Sequence, residues 1–194
     1  MPAKIEFDGL PELKILDEAY TAARADAQSL IGNLTESQAA WRPHPAAWSI
    51  SECLDHLAAT NRIYVAAMQP AVAEARRHNK LRCQPALPGY FGAWFVRSLE
   101  PPVKLKSPSP SQIKPRTSPA LADAAAAFFA SHADAQNFLR TNADLDLAAI
   151  RLRNPFVKLL RLTVATAIHI IPAHERRHLY QARAVLAASQ TKPT

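Results

Sequence analysis

Apolar residues recur at helical spacing in four long stretches of this chain, and almost nowhere at the two-residue spacing of a half-buried strand. In the first, residues 11–32, Leu13, Leu16, Tyr20, Ala23, Ala27 and Leu30 share one face. Pro11 suits a first helical position and Gly32 a stop. In the connector that follows, Thr35 and Gln38 have capping-box spacing, which predicts a short helical turn ended by Pro43 and Pro45. The second helix opens on Ser49 and Glu52, an S-x-x-E pair in which each side chain can bond the other's amide. It runs to about His78 with Cys53, His56, Thr60, Ile63 and Ala67 in its stripe. Trp48, just before the cap, is expected to pack on Cys53. The third opens at Ser118, read as a cap followed by Pro119 at the first position. Its stripe is Leu121, Ala125, Phe128, His132, Ala135 and Leu139. The fourth is predicted over residues 155–188, kinked near Ile168 to Ile171 because Pro172 lies inside it.

Residues 79–117 break the pattern. They hold seven prolines (85, 88, 101, 102, 108, 110 and 115) around the segment "GYFGAWFVRSL". This predicts a long crossover between the second and third helices, with a short helix inside whose Tyr90, Phe91, Trp94 and Phe95 pack against the rest. The expected fold is therefore all-α: a four-helix bundle with a proline-rich crossover, residues 1–194 forming a single domain.

Composition agrees. The chain of 194 residues is 48% hydrophobic, enough for a core, and only 4 glycines stand against long alanine runs, which favours helix. Two cysteines, Cys53 and Cys83, make no disulfide framework, and Cys53 reads as core. No apolar run approaches a membrane span, and "MPAKIEFDGLPELK" lacks the apolar centre of a signal peptide. The expectation is a reduced, cytoplasmic protein with no membrane partner. The formal net charge of +7 is carried partly by "RRHNKLR" and "RLRNPFVKLLR". Neither run interleaves aromatics with its charges, so both read as solvated basic surface rather than as a nucleic-acid groove.

The chemistry lies in the last helix. His174-Glu175-Arg176-Arg177-His178 spells H-E-x-x-H, the pattern of zinc peptidases. Val164, Ala167, Ile171, His174, His178, Gln181 and Val185 follow alternating steps of three and four, so both histidines and Gln181 fall on the seam. The two imidazoles lie one turn and about 40° apart. His56 occupies the seam of the second helix. Three histidines from two facing helices would form an all-imidazole site for a divalent metal, with zinc, nickel and iron not distinguished. His132, His44 and His169 read instead as hydrogen-bonded core residues, and His78 as surface.

A peptidase is not expected. The tail after His178 offers no His, Asp, Glu or Cys as a third ligand, and no sheet is predicted to hold an extended peptide. Glu175, turned about 100° from His174, is open to three roles: packing or solvation against a neighbouring helix, support of the ligands, or a general base at the edge of the site. The first is favoured. Gln181, one turn after His178, is expected to hydrogen-bond a ligand or a metal-bound water, since a polar residue in a seam needs a partner.

Together "AAWSISECLDHL" and "IPAHERRHLYQA" resemble the DinB-like superfamily, in its DinB_2 branch. The opening W-S-[IV]-x-x-x-x-x-H matches at Trp48, Ser49, Ile50 and His56, and the closing H-x-x-x-H-x-x-Q at His174, His178 and Gln181. "WRPHPAAWS" and "SLEPPVKLKSPSP" also look like that branch, so the similarity spans nearly the whole chain. The resemblance implies a four-helix bundle, a metal held by His56, His174 and His178, and homodimers. Relatives of that kind include bacillithiol S-transferases, mycothiol-dependent isomerases and proteins described as metal-dependent hydrolases. The implied function is a metal-dependent thiol S-transferase or hydrolase acting on a small molecule, with a low-molecular-weight thiol as partner. The alternative is a non-catalytic stress-response or binding module with a structural metal or a pocket ligand.

Overall fold

The computed structural model describes residues 7, 9–102, 109–157 and 159–191. Part of the proline-rich crossover (103–108) and the first six residues, read above for a leader sequence, lie outside them. Among the described residues six helices form: α1 (Pro11–Ile31), α2 (Glu36–Ala40), α3 (Ile50–Arg77), α4 (Tyr90–Leu99), α5 (Leu121–Thr141) and α6 (Val164–Gln190). A 3-10 turn (Ser111–Ile113) and an antiparallel hairpin of β1 (Arg151–Arg153) and β2 (Arg161–Thr163) complete the described elements. The four long helices are those predicted, and α3 packs most extensively against α5 and α6. None of the described helices is long and apolar enough to cross a membrane.

Local sequence explains most helix ends. All six predicted stripe residues of α1 are buried. Both capping boxes form, at Thr35 with Gln38 and at Ser49 with Glu52, and the second fixes the start of α3 two turns before His56. In α6, Pro172 has no N–H for the carbonyl four residues back. That carbonyl, on Ile168, accepts instead from the buried Tyr20 hydroxyl of α1 at 2.9 Å. The freed acceptor thus becomes a tie between two helices.

Three expectations are corrected. The last helix begins at Val164, not at Pro155, because residues 151–163 are the hairpin. Asn154 Oδ1 accepts from the amides of Phe156 and Val157, which turns the chain, and Phe156 packs edge-on against Tyr64. Thr163 then caps α6 through the Thr166 amide. Second, Ser118 does not cap α5. It sits at φ 47° with its hydroxyl accepting from Arg42, and the helix opens at Leu121, whose N–H is received by Glu36 of α2 at 2.7 Å. Third, of the crossover aromatics only Phe95 packs against the core, while Tyr90, Phe91 and Trp94 are exposed. The helix that carries them is nonetheless seated closely on α6. A Cβ on Gly92 would lie 2.4 Å from Thr166 Oγ1, so only glycine allows this approach.

The apolar interior is split in two. One cluster gathers Ile50, Leu54, Leu57, Phe128 and Leu179, and the other Leu16, Tyr64, Met68, Leu139 and Ile168. Between them in sequence on α3, α5 and α6 lie the buried polar residues Asn61, Ser131, His132 and Glu175.

Candidate metal centre

His56, on α3, and His174 and His178, on α6, come together as the seams predicted. One ring nitrogen from each lies within 4.8 Å of the other two, and the ring centroids are 4.5 to 5.0 Å apart. His56 and His178 are buried, while His174 is only partly so.

Two of the rings are oriented by their second nitrogen. His56 Nδ1–H donates to the carbonyl of Ile113 at 2.5 Å, and His178 Nδ1–H donates to Gln181 Oε1 at 3.0 Å. Both rings thereby expose the Nε2 lone pair to the centre. Asp55, next to His56, holds the segment that supplies Ile113: its carboxylate accepts from the Arg116 amide, Nε and Nη2 at 2.7 to 2.9 Å. The crossover is also tied to α6 by Glu100, which pairs with Arg176. Trp48 lies over His56 and His178, with centroids 4.7 and 5.7 Å away. It also packs against the apolar cluster that contains Cys53, in line with the sequence expectation.

The electrostatics keep the cluster neutral. Burial lowers the pKa of His56, against the Ile113 carbonyl and Asp55, which raise it. Burial pushes His178 down to about 3, with His56 and Arg177 adding to the effect. His174 falls well below the usual histidine range through burial and through its two neighbours.

Neutral rings so arranged fit a cation. His56 Nε2 and His174 Nε2 are 3.3 Å apart. With the Nδ1 protons of His56 and His178 committed, only His174 could offer a proton to two inward lone pairs. One divalent ion could take a lone pair from each of the three rings, in a facial imidazole set suited to zinc, nickel or iron. Nδ1 of His174 is buried with no partner among the described residues.

Glu175 belongs elsewhere. It is fully buried, contrary to the reading of it as a solvated charge. One of its oxygens accepts from Asn61 Nδ2 at 2.8 Å, and both lie 3.0 Å from His132 Nδ1. The carboxylate therefore joins α6 to α3 and α5 through the polar layer, with its partners outside the histidine cluster. His132 is the hydrogen-bonded core residue expected. His169 is half-buried and donates to the Ala86 carbonyl, and His78 is on the surface. His44 is exposed rather than core, since the turn between its two prolines projects outward.

Several residues around the cluster escaped sequence reasoning. Ile113 acts through a backbone carbonyl, which carries no residue signature. Asn61 lies 114 positions from Glu175, with no local pattern linking them. Trp48 was visible as a residue before a cap, but not as a cover for the rings.

The model of the DinB superfamily, in its DinB_2 family, matches residues 19–182. The chain belongs to the DinB superfamily. The matched span contains all three histidines, Trp48, the crossover and Gln181. No curated protein and no solved structure matches the chain. The family thus rests on the family model and on a helical fold with the histidine cluster at its seam.

Proposed function

We propose that this DinB superfamily protein binds a divalent metal through His56, His174 and His178 and uses it in thiol-transferase chemistry on a small molecule. The observation that carries the reading is the donor set: three neutral imidazoles with converging ring nitrogens, two of them locked in the ligating tautomer by Ile113 and Gln181. A metal bound there would supply a Lewis acid that lowers the pKa of a low-molecular-weight thiol. The protein's own part is orientation. Ile113, held through Asp55 and Arg116, fixes His56, and Gln181 fixes His178. Trp48 shields one side of the rings from water. His174 is the most exposed of the three rings.

The test is elemental analysis of purified protein beside His174→Ala, followed by turnover of a panel of thiols and electrophiles. Stoichiometric metal in the wild type and its loss in the variant are expected. Wild-type protein without metal, or a variant with an unchanged content, refutes the site. Metal-dependent hydrolysis of the electrophile without thiol would assign the hydrolase branch of the same reading.

One observation favours a second reading. His56 and His178 are only 2% and 8% exposed beneath Trp48, which suits a metal that holds α3 to α6 without turnover. Chelation would then lower the melting temperature strongly, and no thiol would be consumed.

A further inference from the structure

The exposed aromatics of α4 and the β-hairpin form one surface, far along α6 from the histidines. Tyr90, Phe91 and Trp94 are 87%, 82% and 65% exposed on a helix that Gly92 seats firmly against Thr166. A groove of about 420 Å³ runs between them and the hairpin, lined on the far side by Leu160, Arg151 and Arg161. At the hairpin tip Leu159 is 99% exposed and Val157 54%. Contiguous apolar exposure on this scale marks a surface that meets something.

Charge says what kind of thing. Arg151, Arg153 and Arg161 project from one face of the hairpin, and Arg153 stands directly opposite Arg161 in the register. All three are exposed and none makes an ion pair among the described residues. Like charges placed directly across a two-stranded ladder destabilise it, so an anionic partner would relieve the hairpin. A second copy of this chain, with its own arginines and a net charge of +7, would not. Single-stranded nucleic acid would use the arginines and the rings, but leaves the aliphatic tip unused, since Leu159 and Val157 offer no stacking plane.

We propose that this face docks peripherally on an anionic lipid bilayer. Val157 and Leu159 enter the headgroup–acyl boundary, the α4 aromatics lie at headgroup level, and the hairpin arginines meet anionic headgroups. This is association with a surface, compatible with the lack of any membrane-spanning helix among those described. It differs from the sequence expectation of no membrane partner because that expectation concerned spans and leader segments alone.

The test is co-sedimentation of the full chain with phosphatidylcholine vesicles, with and without phosphatidylglycerol. Binding is expected only with phosphatidylglycerol, weakening as salt is raised. Arg151→Gln with Arg161→Gln should lower partitioning roughly thirtyfold, about fivefold for each arginine. Trp94→Ser with Leu159→Ser should lower it by about tenfold or more. All four positions are exposed, so wild-type circular dichroism and melting in both variants will show the fold intact. Equal binding to both vesicle types, or binding to neither, overturns the proposal. So does tighter binding to a single-stranded oligonucleotide than to anionic vesicles at the same salt. Self-association through this face, abolished by Trp94→Ser with Leu159→Ser and without vesicle binding, overturns it equally.

Discussion

Replacing Glu175 by alanine tests whether this carboxylate is a structural tie or part of the metal chemistry. It is fully buried and receives Asn61 Nδ2 at 2.8 Å and His132 Nδ1 at 3.0 Å. Truncation leaves His132 Nδ1 buried with no acceptor and Asn61 Nδ2 with only the long contact to Ser131 Oγ at 3.5 Å, at about 1–3 kcal/mol for each bond lost. A cavity adds to the loss, while relief of the carboxylate's own desolvation offsets part of it. The net cost is about 3 kcal/mol, a fall of roughly 10 °C in melting temperature for a chain of this size. The assay is thermal unfolding followed by circular dichroism in the presence of a chelator, so that metal binding does not enter. Elemental analysis of the folded variant at low temperature should still find metal, because the bonds that orient His56 and His178 do not involve Glu175. A second substitution sharpens the test. With Glu175→Leu, His132→Leu and Asn61→Leu combined, the stranded polar groups disappear, and much of the lost stability should return. A melting temperature within about 2 °C of wild type for Glu175→Ala, or no recovery in the triple variant, would refute the assignment of this layer as a hydrogen-bonded tie.

Other outcomes follow from the same geometry. Gln181→Ala removes the acceptor that holds His178 in its ligating tautomer and should weaken metal affinity about 10–100-fold, measured by chelator competition, without abolishing it. Tyr20→Phe strands the Ile168 carbonyl freed by Pro172 and should cost about 1–2 kcal/mol in denaturant unfolding. Burial raises the pKa of Glu12, but hydrogen bonds from Arg82 and the Ala86 amide outweigh it, so its folded-state pKa lies below the ordinary value of 4.5. A depressed carboxylate stabilises the fold above its unfolded pKa and loses that contribution as pH falls through the folded value. Glu12→Gln should therefore be less stable than wild type at neutral pH, and the gap should close in acid below both values, as read from melting temperatures across a pH series.

Where a residue's partners lie one or two turns away, the sequence was informative. The α1 stripe is buried as predicted, both capping boxes form, and the seam of α6 places His174 and His178 beside His56. Helical periodicity and capping depend on residues three or four apart, so one strand of text contains them. The hairpin at 151–163 was hidden for the opposite reason. Three-residue strands are too short for alternation to register, and Pro155 imitates a helix start. Ser118 likewise had the local look of a cap, but an acceptor from another helix, Glu36, took that place.

The sequence by itself determined the long helices, the seam and the chemical identity of the three imidazoles, because periodicity and residue type are local properties of the chain. Tertiary structure alone decided the rest. It turned Ile113 into a hydrogen-bond acceptor 57 positions from His56 and made Glu175 a buried partner of His132. It also set the α4 aromatics beside the hairpin arginines, which the sequence had shown only as separate runs. Each of these depends on which backbone passes which side chain once the crossover is laid down. Contacts made across the fold leave no period in the sequence to read.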